Sequence, residues 1–230
     1  MPRDLEKPSG NADIDAFLKK VDATPSTGGG ARGRLIFAMD ATASRQSTWD
    51  QALHTQAEMF QAAEELGGLD VQLIYFRGFG ECRASKWYAE PAELRRVMLK
   101  VTVLGGRTQI GKVLSRAMKE TRDTPVQAVV FVGDSVEESV DDLCHRAGQL
   151  GLLKTPMFMF HEGRDMAAAS AFKQIANLSG GAFCRFDSSS AGALKDLLRA
   201  VAVYAAGGRK ALSDRSSGNR EIAGLLEQLK

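Results

Sequence analysis

The sequence predicts a doubly wound α/β domain: a mostly parallel six-stranded sheet with one antiparallel edge strand and helices on both faces. Three observations lead there. From Arg34 onward, short apolar runs alternate with segments of helical periodicity. The apolar runs are continuous rather than alternating, as strands are when helices cover both sheet faces. Polar residues follow several runs directly, which suits strands that end at a ligand-binding edge. The 230 residues, 44% hydrophobic and 25% charged, are enough for one sizeable core and suit a soluble globular chain.

Taken in order, residues 1–33 form an arm. Within it Ile14, Phe17, Leu18 and Val21 follow a helical i, i+3, i+4, i+7 pattern, and a flexible Gly-rich stretch, PSTGGGARG, comes next. The domain proper is expected over 34–206. Its strands are expected at 34–39, 71–76, 126–132, 156–160 and 182–186, with helices at 46–66, 91–103, 109–121, 137–150, 166–178 and 190–205. Most of these helices are closed by Gly or turn residues. The mixed segment 81–88, ECRASKWY, follows a turn at Gly78 and Gly80 and reads as the antiparallel edge strand. Residues 207–230 form a tail in which Ile222, Leu225, Leu226 and Leu229 make a second amphipathic stripe. Either terminal helix can dock on the body or take a partner.

Charge excludes some functions. The arm carries five basic and five acidic residues and the body is neutral, so the net charge of +2 lies in the tail. Binding to nucleic acid needs clustered Lys and Arg, and the body offers none. Cys82, Cys144 and Cys184 form neither a disulfide framework nor a CxxC pair, and read as core thiols in a reducing compartment. With no apolar segment of leader type and no run of about 18 apolar residues, a cytoplasmic protein without a membrane span is expected.

Candidate chemistry gathers behind the strands. The first runs into Asp40-Ala41-Thr42-Ala43-Ser44, whose spacing puts three oxygen-bearing side chains on one side of an extended exit. The central strand runs into Gly133-Asp134-Ser135, and the loop Gly105-Gly106-Arg107-Thr108-Gln109-Ile110-Gly111 adds the hydroxyl of Thr108. Two carboxylates and three hydroxyls form a hard-oxygen set that suits Mg²⁺ or Mn²⁺ better than zinc. Taken singly, Thr42, Ser44 and Asp134 would each also serve as a helix cap.

Together, the D-x-T-x-S segment, the loop threonine and the later aspartate resemble the metal-ion-dependent adhesion site of the von Willebrand factor A domain family. The resemblance spans about residues 34–206 and includes the antiparallel edge strand of that Rossmann-like fold. The family's usual D-x-S-x-S has Thr42 at its first serine here, which keeps the hydroxyl, and its frequent T-D-G becomes Gly133-Asp134-Ser135. The resemblance implies that Thr42, Ser44 and Thr108 touch the metal directly while Asp40 and Asp134 hold metal-bound waters. One position is then left for an Asp or Glu of a protein partner. It further implies a non-enzymatic interaction module, with AAA+ ATPase assemblies among the partners of cytoplasmic members. Arg107, and His161 with Glu162 after the fifth strand, are expected to form the rim that chooses the partner.

Rival readings exist. Gly133-Asp134-Ser135-Val136-Glu137-Glu138 resembles the G-D-x-x-x-D of haloacid-dehalogenase-like phosphohydrolases, which would make Asp40 a nucleophile. Most such hydrolases carry an Asp at plus two as the acid/base, and here that position is Thr42. Gly106 to Lys112 fits G-x-x-x-x-G-K, but Val113 follows where a P-loop needs Ser or Thr, and the preceding segment reads as helix rather than strand. Gly78-x-Gly80 lacks the third glycine of a dinucleotide fingerprint.

Overall fold

A computed structural model describes residues 32–46, 49 and 69–186, with Ala16, Lys20, Ala200, Val201 and Ala205 beyond them. Its strands are β1 (Gly33–Asp40), β2 (Leu69–Arg77), β3 (Glu81–Tyr88), β4 (Ala128–Gly133), β5 (Met157–Glu162) and β6 (Phe183–Phe186). Its helices are α1 (Pro91–Met98), α2 (Ile110–Asp123), α3 (Val140–Leu152) and α4 (Met166–Ser179). They build one six-stranded sheet in the order β3-β2-β1-β4-β5-β6, parallel throughout except for the β2–β3 pair. This is the expected α/β architecture.

Strand geometry sends successive side chains to opposite faces, and the apolar runs supply both. Leu35, Phe37 and Met39 of β1 join Val130, Val132, Phe158 and Phe160 in one core, with Leu94 and Met98 of α1, Trp49 and Val201. Ile36 and Ala38 point the other way and join Phe131, Met157 and Met159 under α2, α3 and α4. A sheet sealed on both sides leaves its strand ends as the place where polar side chains gather. The order matters here: β2 and β4 lie on opposite sides of β1, so the crevice beyond the carboxyl ends of β1 and β4 is where winding reverses.

Several boundaries differ from expectation, each for a physical reason. Helix α1 stops at Met98 rather than 103, because Val101 to Leu104 must run extended: the Val101 carbonyl accepts from Trp49 Nε1 at 3.0 Å, and Leu104 N donates to the Ala41 carbonyl at 3.0 Å. Helix α3 begins at Val140, capped by Ser139, because Glu137 and Glu138 are used elsewhere. Strand β5 continues through His161 and Glu162, which pair with Arg185 and Phe186 of β6. Cys184 is buried as expected, whereas Cys82 and Cys144 are only half-buried, being on the edge strand and a helix flank.

The expected helix at 46–66 lies outside the described residues apart from Gln46 and Trp49, and that at 190–205 apart from Ala200, Val201 and Ala205. The apolar stripes of both terminal segments, Ile14, Phe17, Leu18 and Val21 and then Ile222, Leu225, Leu226 and Leu229, lie outside them too. Of the arm, Ala16 and Lys20 are described, and the Lys20 ammonium donates to the Asn177 side chain of α4. No helix among the described residues is long and apolar enough to cross a membrane.

Phe131 is the centre of the second core, stacked on Phe76 at 6.2 Å between ring centroids and edge-on to Phe172 at 5.4 Å. Phe131→Ala is expected to lower stability by about 3–5 kcal/mol, read from the urea midpoint at an unchanged slope.

Candidate metal centre

Strand β1 ends on Asp40, whose side chain is fully buried. Its Oδ1 accepts the backbone N–H of Thr42 at 2.8 Å, while Oδ2 has no hydrogen-bond partner. Beyond Thr42 the chain does not stay extended. Residues Ala43–Arg45 form a 3₁₀ turn that swings Ser44 back, so its hydroxyl meets that of Thr42 at 3.1 Å. The two hydroxyls converge through that turn rather than through strand spacing alone. Thr42 precedes the turn without capping it, and the cap of α3 is Ser139, so neither Thr42 nor Asp134 is used as a helix cap.

Asp134 arrives from β4, the neighbour of β1. Glycine at 133 is required for the approach, since a Cβ there would stand 2.8 Å from the Phe131 ring and 3.3 Å from the Asp40 Cβ. Thr108 is tied to the same segment by a reciprocal pair: its N–H donates to Glu137 Oε2 at 2.9 Å, and its hydroxyl accepts from Glu137 N at 2.9 Å. Glu138 then accepts from the N–H groups of Ile110 and Gly111, so a carboxylate from the next loop completes the start of α2. The loop carrying Thr108 and the loop carrying Asp134 are thereby one unit.

The rim expectation needs correction for two residues. Arg107 is exposed as expected, but His161 and Glu162 are buried within β5 rather than solvated after it. Glu162 Oε2 accepts from Arg45 Nε at 2.8 Å, and Arg45 Nη1 donates to the Asp40 carbonyl at 2.7 Å, with the guanidinium 5.4 Å from the Trp49 ring centre. His161 lies on the opposite sheet face against Phe172 and Phe183, with Nε2 3.2 Å from the Asp134 carbonyl. A carbonyl only accepts, so Nε2 carries the proton and Nδ1 is an unpartnered acceptor. Burial holds the imidazole below its ordinary pKa, in keeping with a neutral ring. Both residues therefore support the ligand set from behind.

The electrostatics point to a cation. Burial pushes the Asp40 carboxyl up to about 6; hydrogen bonds from Thr42 oppose this, and the charge of Asp134 raises it further, outweighing the relief from Arg45. Arg45 and Glu162 cancel one another, which leaves two aspartates facing the crevice. An orphaned carboxylate oxygen, a second carboxylate beside it and paired hydroxyls fit a hard divalent ion bound through oxygen. Among the described residues no three His, Cys, Asp or Glu side chains form a metal cluster, and this set of two acids with hydroxyls is of another kind.

Sequence reasoning missed Arg45, Gln109 and Lys112 as supports. Gln109 Nε2 donates to the carbonyls of Arg77, Gly78 and Glu81, and Lys112 Nζ donates to the Gly80 carbonyl and to Gln109 Oε1. The lysine of the apparent G-x-x-x-x-G-K is thus committed to the β2–β3 turn. The sequence offers only a glutamine directly before a helical pattern, and nothing local says that it is buried or which turn it grips.

Neither protein-family models nor curated proteins give a match to this chain. Solved structures do. The von Willebrand factor type A protein from Catenulispora acidiphila aligns with a TM-score of 0.61 at 16% identity, over 75% of this chain and 42% of that one. The VWA domain of SpRpn10 aligns at 0.56 and 15% identity, over 73% of this chain and 94% of that one. Proximal thread matrix protein 1 from the mussel byssus, in a structure with a zinc-occupied MIDAS motif, aligns at 0.59 and 16%, over 75% and 46%. The chain thus spans less than half of the Catenulispora and mussel proteins. It has the fold of a von Willebrand factor A domain.

Proposed function

We propose that this domain is a metal-dependent protein-interaction module without catalytic activity, holding Mg²⁺ or Mn²⁺ through Asp40, Thr42, Ser44, Thr108 and Asp134 and binding an Asp or Glu of a protein partner there. The observation that carries this reading is the buried, unpartnered Asp40 Oδ2 beside Asp134 at the point where the sheet reverses its winding. Hydroxyl ligands neutralise little charge, so a dication bound there would supply an electrophilic centre for an external carboxylate. The zinc-occupied MIDAS motif of the mussel protein, on the same fold, supports a divalent ion as the ligand. AAA+ ATPase assemblies and a cytoplasmic setting belong to the same reading, through the resemblance and a cysteine spacing that matches neither a disulfide framework nor a CxxC pair.

Two observations weigh against the phosphohydrolase with Asp40 as nucleophile. Glu137 and Glu138, which would have to serve its metal, are taken up by the backbone of Thr108, Ile110 and Gly111. Thr42 stands where the general acid/base is needed and cannot accept the proton from an attacking water. Phosphomonoester turnover abolished by Asp40→Asn would replace the binding reading with the enzymatic one.

Calorimetric titration with Mg²⁺ or Mn²⁺ is expected to show binding that weakens at least about tenfold in Asp40→Ala, Thr108→Ala and Asp134→Ala, with Ser135→Ala close to wild type. At a hundredfold excess over the dissociation constant the metal should add about 2.7 kcal/mol of stability. No heat, with melting identical in EDTA and in metal, would overturn the proposal.

A second expectation concerns pH without metal. A carboxyl whose folded-state pKa is raised binds extra protons in the native state, so its destabilising effect is absent below about 3.8, grows as pH rises, and is fully present above about 6. At pH 7 and in EDTA, Asp40→Asn should therefore be more stable than wild type by up to about 3 kcal/mol, a gain that fades toward pH 4. The difference between the two melting curves is the proper measure, because His161 acts with the opposite sign: its lowered pKa makes acid destabilising in both proteins.

A further inference from the structure

Next to the proposed metal centre, the fold holds an aromatic side chain out in water. Beyond Ala41 the ends of β1 and β2 part, and Leu104 inserts between them: its N–H donates to the Ala41 carbonyl at 3.0 Å and its carbonyl accepts from Gly78 N at 3.4 Å. Thr42 pairs with Leu104 as a one-residue parallel bridge. Three segments thus lie side by side, carrying Thr42, then Leu104, then the Gly78-Phe79-Gly80 turn. Leu104 is 53% exposed and Phe79 is 85% exposed.

The turn is anchored far more firmly than its exposure requires. Gly78 has a φ of +61°, a conformation that favours glycine, and its carbonyl accepts from Arg107 N at 3.1 Å as well as from Gln109. A Cβ on Gly106 would stand 2.0 Å from that same carbonyl, so the two loops touch backbone to backbone. Gln109 also holds the carbonyls of Arg77 and Glu81 on either side of the turn, and Lys112 holds that of Gly80. Exposing a large apolar side chain forfeits about 1.5–3 kcal/mol of burial, and here the polar framework fixes the chain that exposes it. Rigid, exposed aromatic groups beside a charged centre are what binding hot spots look like before a partner arrives.

Charge selects the partner. Arg107 is exposed and makes no ion pair among the described residues. At the base of the turn Arg77 and Arg83 share the single carboxylate of Glu81. This side of the centre is cationic, whereas Glu137 and Glu138 lie with the Asp134 loop.

We infer that Phe79, Leu104 and Arg107 form a second recognition element, which binds an extended acidic peptide segment of another protein through an aromatic or large aliphatic residue near its metal-binding carboxylate. This rests on the proposed metal-dependent binding. Adjacent paired segments lie ~4.8 Å apart, so the Phe79 turn is about 10 Å from Thr42, and at about 3.3 Å per residue the apolar side chain falls two to four positions from the acid.

The test is selection of a random peptide library on the full chain in Mg²⁺ or Mn²⁺ with release by EDTA, followed by affinity measurement on synthetic copies of the selected peptides. Enriched peptides should pair Asp or Glu with an aromatic or large aliphatic residue two to four positions away. Phe79→Ser and Arg107→Glu should each weaken them by at least about tenfold. Calorimetry on Phe79→Ser reads metal binding separately, since that side chain is directed into solvent rather than into the ligand set. Acidic peptides lacking the apolar residue, an affinity indifferent to Phe79→Ser, or no peptide retained in metal would overturn this inference. If calorimetry still shows metal bound, the metal centre stands. Peptides held equally in metal and EDTA would instead overturn the proposed function on which it rests.

Discussion

The structure turns on one unfavourable placement: a carboxylate at the buried end of β1, with one oxygen unpartnered and a second aspartate beside it. Burying an unpaired carboxylate costs several kcal/mol or forces protonation, and Asp40 is pushed up to about 6 accordingly. Replaced by an apolar residue, the end of β1 would pack without such conflict. The conflict is held in place by everything around it. Glycine at 133 lets β4 come close, the 3₁₀ turn returns Ser44 to Thr42, and Glu137 joins the Thr108 loop to the segment that follows Asp134. Stability forgone at one point and defended at its neighbours is the signature of a site kept ready for a ligand.

The neighbouring loops obey the same logic in backbone rather than charge. The contact between Gly106 and the Gly78 carbonyl leaves no room for a side chain, so the position of Thr108 and that of the Phe79 turn are set together. Gln109, one residue from Thr108, extends this coupling into three carbonyls of the hairpin. A displacement of the β2–β3 turn would therefore be felt by the proposed ligand set. The proposed ligand set and the exposed Phe79 turn are thus held by one backbone framework.

Much of this was legible in the sequence, and the reason is specific. Continuous apolar runs such as Leu35 to Met39 and Val129 to Val132 are short and rich in β-branched and aromatic residues, which reads as strands buried on both faces, so the sheet and its helices follow. The D-x-T-x-S spacing is local, and Asp134 follows its strand directly, so both stood out. What stayed hidden depends on contacts far apart in the chain. His161 and Glu162 looked like loop residues because their polarity ends an apolar run; pairing with β6 keeps them in the sheet, and Arg45, 117 residues away from Glu162, makes burial of that carboxylate tolerable. Glu137 and Glu138 offered a spacing suited to a metal, and only the fold reveals that the backbone of the Thr108 loop had claimed them.

Arg45 raises the question of why a buried cation so close to Asp40 does not serve as its counter-ion. Its donors answer it. Nε is committed to Glu162, and Nη1 reaches the backbone carbonyl of Asp40 rather than the carboxylate. Had the guanidinium turned its fork to the Asp40 side chain, the bidentate pair would have satisfied Oδ2 and left a divalent ion to compete with a permanent charge. Glu162, which alternation along β5 puts on the same face as Phe158 and Phe160, prevents this by holding the guanidinium there beside Trp49. The pair braces the β1 exit against β5 while contributing almost no net charge to the crevice. The negative field of Asp40 and Asp134 therefore remains directed at whatever enters from solvent.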